Sequence, residues 1–167
     1  MKKLFFLFLI MPFFAAAQNK LLVEGVSPGL YLTHKVAPKE NYYSIGRIYN
    51  VSPKEIAPFN KLQLEKGLSL GQTIKIPLNS SNFFQSGNAA GDETFVPVYY
   101  KIKDKEGLYR VAKNHNDLPL QTLKQWNNIT GDAVKNGVQL AVGYLKVKKE
   151  QSGLAKNGIG STISATA

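Results

Sequence analysis

The chain repeats itself at an offset of 66 residues, and this repeat limits the possible folds more than any other sequence feature. Val36 falls on Ile102, and a series of identities follows in order. One residue inserted in the second copy moves the offset to 67 and places Asn60 on Asn127. Such an ordered series predicts two copies of one small structural unit. The identical pairs include Lys39 and Lys105, Glu40 and Glu106, Tyr43 and Tyr109, Asn50 and Asn116, Pro53 and Pro119, and Gly71 and Gly137.

Each copy has the pattern strand, helix, helix, strand. In the first copy, apolar residues recur at helical spacing between Tyr42 and Tyr49, and Asn41 can cap that helix. Ser52 to Glu55 form a capping box with proline at the first helical position, which begins a second helix. An alternating strand over 73–76 ends the copy.

Two strands separated by two helices can pair antiparallel, with both helices on one face. We therefore predict an α+β fold of two small βααβ modules joined by a flexible linker. Module 1 occupies 33–78 and module 2 occupies 98–147. Each module is close to the smallest size that folds unaided.

The segments outside the modules are predicted to be less ordered. Asn, Ser and Gly dominate 79–97, a composition typical of a flexible linker. Phe83 and Phe84 interrupt it and either dock onto a module, which we favour, or form a sticky patch. Residues 18–32 form an N-terminal extension, and residues 148–167, rich in Gly, Ser, Ala and Thr, are predicted to be a disordered tail.

The first 17 residues have the three parts of an export signal. Lys2 and Lys3 are followed by an apolar core from Leu4 to Phe14 and then by Ala15-Ala16-Ala17. The apolar core is too short for a membrane span, which needs about 20 residues. We expect cleavage before Gln18 and a protein without a transmembrane segment, located in the periplasm, the cell envelope or the medium.

Charge and cysteine content narrow the classes of partner and chemistry. The formal charge is +10, or +8 without Lys2 and Lys3. For an exported protein, this positive charge either indicates an anionic envelope polymer as the partner or reflects the basic character that exported proteins commonly have. Nucleic acid is an unsuitable partner, because the chain is exported and lacks interleaved aromatic and basic residues. With no cysteine, the chain has no disulfide, thiolate zinc site or cysteine nucleophile.

The repeat resembles the LysM domain family. Module 1 contains that family's Tyr43-Ser44-Ile45 run, the asparagine that ends the second helix at Asn60, and Gly71-Gln72 leading into Ile74-Lys75-Ile76-Pro77. Module 2 is a more divergent copy that retains Asn127 but has Gly137-Val138 at the glycine-glutamine turn. The resemblance covers most of the two modules.

The resemblance implies binding of N-acetylglucosamine-containing glycans such as peptidoglycan. The groove would lie between the loop after the first strand and the loop after the second helix. Backbone amides and short polar groups would contact the acetamido group, and an apolar side chain the sugar face. The implied residues are Pro38, Lys39, Glu40, Asn41, Tyr42, Lys61, Leu62 and Gln63 in module 1, and Asp104, Lys105, Glu106, Gly107, Leu108, Asn128 and Ile129 in module 2.

The first loop departs from the family pattern. That pattern has glycine-aspartate-threonine, whereas this chain has Lys39-Glu40-Asn41 and Lys105-Glu106-Gly107. The two lysines are interpreted as solvated loop residues rather than contacts for the carboxylates of peptidoglycan peptides.

Two further pairs of equivalent residues have structural interpretations. Asn60 and Asn127 are interpreted as structural residues that satisfy backbone groups at the helix ends. Phe59 and Trp126 are interpreted as core aromatics rather than sugar-stacking platforms.

No catalytic, metal or cofactor site is predicted. The two histidines, His34 and His115, occupy different places in the repeat, and no histidine–carboxylate spacing suggests a metal site. Glu40 and Glu106 lie in separate modules, so a catalytic carboxylate pair is not expected.

Two functional hypotheses follow. The first is a non-catalytic protein that binds wall glycan, as an adaptor or as the targeting part of something larger, and that positions a wall hydrolase or another envelope protein. The alternative is an envelope protein–protein interaction module that no longer binds sugar. Its partner contacts would be Phe83-Phe84, Leu21-Leu22-Val23 and Tyr144-Leu145-Lys146-Val147.

Overall fold

The computed structural model describes residues 20–163, so the predicted export signal lies outside the described residues. Both modules have the predicted strand–helix–helix–strand order, and the fold is α+β. Short 3-10 helices lie at Leu64–Lys66 and Gly153–Asn157. In chain order the strands and helices are β1 (Leu21–Glu24), β2 (Tyr31–Lys35), α1 (Tyr42–Tyr49), α2 (Pro53–Phe59), β3 (Thr73–Pro77), β4 (Phe83–Phe84), β5 (Gly87–Asn88), β6 (Glu93–Lys101), α3 (Leu108–Asn114), α4 (Leu120–Trp126), β7 (Gln139–Lys148) and β8 (Thr162–Ile163).

The helix starts of module 1 follow the sequence signals. The Asn41 side chain accepts hydrogen bonds from the amides of Tyr43 and Ser44, and the Asn41 amide donates to the Ser44 hydroxyl oxygen. Ser52 and Glu55 form the second capping box, so both predicted caps are confirmed. In module 2 the equivalent caps are Gly107 and Pro119, which make no side-chain cap bond. The helices of module 2 therefore depend more on packing than on capping.

A single six-stranded sheet, in the order β3-β2-β1-β6-β7-β4, runs through both modules. Strands β2 and β3 pair antiparallel in module 1, and β6 and β7 pair antiparallel in module 2. Strand β1 joins the two pairs, antiparallel to β2 and parallel to β6. The N-terminal extension is thus the strand that links the modules, and one core cluster contains buried side chains from both.

The segment predicted to be a flexible linker is instead hydrogen-bonded into the fold. Phe83 and Phe84 pair with Leu145 and Tyr144 in β7, which agrees with the docking alternative for the two phenylalanines. The Phe83 ring lies over Gly143, where a Cβ atom would collide with it. Asn82 is fully buried and donates to the carbonyls of module 1. The polar residues form turns and buried hydrogen bonds, so composition alone gave the wrong prediction.

The described part of the predicted disordered tail is also ordered. Residues 159 and 160 exchange backbone hydrogen bonds with Phe95 of β6, at 2.8 and 2.9 Å. Strand β8 pairs with β5, and Ile163 packs with Phe95 and Tyr144 in a second small core. The Ser152 hydroxyl donates to the carbonyl of Ile48 at 2.6 Å, which fastens the segment to module 1.

Of the side chains suggested as contacts for a protein partner, Leu22 is exposed and the others are buried or partly buried. Val23, Phe83, Leu145 and Val147 are buried, and their strands are paired with neighbouring strands. These side chains therefore stabilise the sheet and are not available as a binding surface.

Candidate functional site

The loop between β2 and α1 is held by the Glu40 carboxylate. Its Oε2 atom accepts hydrogen bonds from the Ala37 amide at 2.8 Å and from His34 Nε2 at 2.7 Å. Lys39, at the tip, has a φ angle of 68°, a conformation that few residues other than glycine adopt. The half-buried carboxylate thus closes the loop from within, and the exposed residues Pro38, Lys39 and Asn41 lie on its outside.

The equivalent loop of module 2 has the same construction. Glu106 Oε2 accepts from the Tyr100 hydroxyl at 2.9 Å and from the Lys103 amide at 3.2 Å. Lys105, at the tip, has a φ angle of 58°. The Lys-Glu pair that departs from the family pattern therefore builds the same loop twice: lysine takes the left-handed position and glutamate bonds back to the loop and its strand.

Each module contains one histidine–tyrosine contact, and the two residue types exchange places between the modules. In module 1, His34 is on the strand and Tyr49 on the helix, with ring centroids 5.4 Å apart. In module 2, Tyr100 is on the strand and His115 on the helix, with centroids 4.6 Å apart. The sequence comparison placed the histidines at different repeat positions, which is correct. It did not reveal that each histidine contacts a tyrosine of its own module, and that this tyrosine occupies the repeat position of the other histidine.

Burial and the nearby glutamates shift the pKa values of this contact. Burial, and then the Glu40 charge, raise the pKa of Tyr49 to about 12. Burial, and then the hydrogen bond to Glu106, raise the pKa of Tyr100 to about 12. Both hydroxyls therefore remain protonated donors at neutral pH.

The pKa values of Glu40 and His115 are both lowered, but burial opposes the shift of Glu40 and causes the shift of His115. Burial acts to raise the pKa of Glu40, but hydrogen bonds from the Ala37 amide and His34 outweigh it, and the pKa is lowered. Burial lowers the pKa of His115, whose Nδ1 donates to the Val111 carbonyl at 2.7 Å. Its Nε2 atom has no hydrogen-bond partner among the described residues. His115 therefore favours the neutral imidazole.

The loop after the second helix is anchored by Asn60 in module 1. Its Nδ2 donates to the carbonyls of Ile56 and Lys75, at 2.8 and 2.7 Å, and its Oδ1 accepts from the Lys75 amide at 2.7 Å. Lys61 follows with a φ angle of 56°.

Asn127 makes the same three bonds in module 2. Its partners are the carbonyls of Leu123 and Ala141 and the Ala141 amide, at 2.7 to 2.9 Å. Asn128 follows with a φ angle of 53°. The structural interpretation of both asparagines is confirmed.

The predicted groove residues divide into an exposed and a buried set. Tyr42 and Leu108 are only 2% and 3% exposed, because each is the first residue of its helix and faces the core, so their assignment as glycan contacts is wrong. Leu62 and Ile129 are half-buried and pack against the core. The exposed members are Pro38, Lys39, Asn41, Lys61 and Gln63 in module 1, and Asp104, Lys105, Gly107 and Asn128 in module 2.

One of the two predicted core aromatics is at the surface. Phe59 is 38% exposed and lies 6.2 Å from the ring of Tyr31. Trp126 is half-buried against Tyr144, with ring centroids 4.9 Å apart. Trp126 packs against the second small core of Phe95, Tyr144 and Ile163, whereas Phe59 is not among the residues packed against this core.

Two further results concern metals and membranes. Within residues 20–163, no group of three or more His, Asp and Glu side chains is arranged to hold a metal ion. None of the helices in this described range has the length and apolar character needed to cross a bilayer.

Comparison with known proteins matches both modules to one family. Residues 34–77 and 100–142 each match the LysM domain. Among solved structures, the chain is similar to the spore cortex-lytic enzyme SleL of Bacillus cereus, with 23% identity over 66% of this chain and 22% of that chain and a TM-score of 0.31. For SleL of Bacillus megaterium QM B1551 the identity is 20%, over 70% of this chain and 23% of that chain, with a TM-score of 0.30. The chain thus spans less than a quarter of either enzyme.

Proposed function

The chain belongs to the LysM domain family, and from this premise we propose that it is a non-catalytic protein that binds peptidoglycan of the bacterial envelope. LysM domains are binding modules for peptidoglycan and other N-acetylglucosamine polymers. The finer role proposed here is that of an exported adaptor or targeting protein, which positions a wall hydrolase or another envelope protein on the glycan.

The observation that carries the proposal is the repeated construction of the first loop. In both modules a glutamate bonds back to the loop, and a lysine at the tip takes a left-handed conformation. The bonds fix the loop before any ligand arrives, which lowers the entropy lost on binding. A rigid loop with exposed backbone and short polar groups suits an acetamido group, which is both a hydrogen-bond donor and an acceptor.

The second loops support the same proposal. Asn60 and Asn127 fix the backbone immediately before Lys61 and Asn128, whose side chains are exposed. We propose the exposed residues of both loops as the glycan contacts, with Leu62 and Ile129 as half-buried apolar support. The chain is proposed to lack catalytic residues, since Glu40 and Glu106 each serve to close a loop.

The test is titration of the protein with chitotetraose by calorimetry, together with co-sedimentation with purified peptidoglycan at low and high salt. The double variant Glu40→Ala/Glu106→Ala removes the loop-closing bonds, and we expect it to bind chitotetraose about tenfold more weakly. Glu150→Ala, at an exposed glutamate outside both modules' loops, is the control for the loss of a glutamate charge.

Three results would argue against the proposal. Sedimentation abolished by high salt would indicate only attraction of a basic protein to an anionic polymer. Absence of binding at either salt concentration would favour a protein partner. Equal affinities for the double variant and Glu150→Ala would contradict the assignment of the loops. Tyr42→Ala is unsuitable here, because Tyr42 is a core residue.

A further inference from the structure

A cleft of about 720 Å³ lies where the two modules meet. Strands β1 and β6 pair in parallel only at Leu21 with Val98 and Leu22 with Tyr99, and the cleft lies where the two strands continue beyond this pairing. Its volume is in the range of small-molecule sites, which favour the interfaces between structural units. The lining residues are Leu22, Val23, Glu24, Gly25, Tyr31, Tyr100, Lys101, Ile102, Lys103, Asp104 and Asn136.

The position of this junction cleft depends on both modules. The loop between β1 and β2 is fixed to module 2 by the Ser27 amide, which donates to the carbonyl of Asn114 at 2.9 Å. Neither module alone has both walls. The cleft is thus different from the repeated loops, although Asp104 borders both.

Charged side chains of both signs line the junction cleft without neutralising one another. Glu24 and Asp104 are the acids, and Lys101 and Lys103 are the bases; none of the four forms an ion pair with another described residue. Lys103 lies over the ring of Tyr100, with Nζ 5.9 Å from the centroid. The four charges remain available to a ligand.

The carboxylate of Glu24 is held in place by neutral donors. Thr33 Oγ1 donates to it at 2.7 Å and the Tyr31 hydroxyl at 3.3 Å. This arrangement orients the carboxylate while leaving its charge uncompensated. Leu22 and the half-buried Tyr31 add apolar surface beside it.

We propose that the junction cleft binds a short peptide that carries both a free ammonium and a free carboxylate group. The ammonium pairs with Glu24 or Asp104, and the carboxylate with Lys101 or Lys103. Complementary charges of both signs favour such a zwitterion over a neutral sugar chain, which would leave all four charges without a partner. In the envelope, the peptide branches of the wall polymer have this chemistry, so the cleft adds peptide recognition to the proposed glycan binding.

The test is an NMR titration of the 15N-labelled protein with tetra-alanine that has free termini. We expect shifts of the Gly25, Lys101 and Asn136 amide signals, and much smaller shifts with N-acetylated, C-amidated tetra-alanine. Glu24→Gln/Lys101→Met should bind the free peptide at least about tenfold more weakly, because it removes one charge of each sign. Lys54→Met, at an exposed lysine of α2 away from the cleft, is the control.

Each other outcome contradicts the inference. Equal shifts with the free and blocked peptides would show that charge is not recognised. Shifts of these amides with chitotetraose alone would assign the cleft to glycan, and no shift with any probe would leave it without a ligand. Chitotetraose binding at the repeated loops is followed at the amide signals of residues 39–41, so failure of the peptide site is distinguishable from failure of the proposed function.

Discussion

Replacement of Asn82 by alanine tests whether the two modules form one folding unit. This residue is fully buried between them, and its Nδ2 atom donates to the carbonyls of Tyr49 and Pro77, each at 3.2 Å. Its Oδ1 atom accepts from the Asn79 amide at 3.0 Å. Its backbone carbonyl accepts from the Lys146 amide of β7 at 2.8 Å. The side chain therefore ties module 1 to the segment that β7 holds.

The expected loss follows from these three side-chain bonds. Each buried hydrogen bond contributes about 1 kcal/mol net, and alanine leaves two buried carbonyls without these donors. We expect Asn82→Ala to lower the free energy of unfolding by about 3 kcal/mol, equivalent to a fall in melting temperature of roughly 10 °C for a chain of this size. Asn88→Ala, at an exposed asparagine of the same segment, should change it by less than about 0.5 kcal/mol.

The assay is urea denaturation followed by circular dichroism and by Trp126 fluorescence. Because the modules share a sheet and a core, both signals of the wild type should report one transition. Two transitions in the wild type, or equal stabilities for Asn82→Ala and Asn88→Ala, would refute the reasoning. Two transitions would restore the picture of two modules on a flexible linker, and equal stabilities would show that the Asn82 side-chain bonds add no net stability.

Two more predictions concern stability. Asn127→Ala should lower the free energy of unfolding by about 2–3 kcal/mol in urea, since three bonds are lost, while Gln125→Ala on the same helix should be nearly neutral. Burial lowers the pKa of His115, so the unfolded chain takes up a proton near pH 6.5 while the folded protein stays neutral, and stability falls as the pH is lowered through that range. Urea titrations across this range should show a smaller fall for His115→Phe; equal falls would contradict the assignment.

The elements within each module were predictable because their signals are local. Capping residues, helical spacing and the alternating strand are all readable over a few residues, and Asn60 with Asn127 followed from the repeat. The buried Tyr42 was not assigned correctly, because loop position alone does not tell which side a helix-starting residue faces. The position of Tyr42 on the apolar face of an amphipathic helix indicated that its side chain would be buried.

The relationship between the modules was not predictable from the sequence. It depends on pairing between β1 and β6, which are more than 70 residues apart, and no local pattern encodes such a partner. The polar residues around Asn82 resemble a linker in composition, although they are buried or form turns. The junction cleft follows from the same long-range pairing, so no motif indicates it.

The parallel pairing of β1 with β6 has a consequence for binding to a polymer. A tethered pair of sites samples many separations, and its second contact is favoured by local concentration. Here the shared sheet holds the two loops at one separation, so the ordering cost of the second contact is already met during folding. Because the sheet is stiff, the two loops cannot adjust to sugars at most other separations. If both loops bind glycan as proposed, we expect tight binding to a wall whose sugars recur at the spacing of the two loops, and weak binding to the same sugars arranged differently.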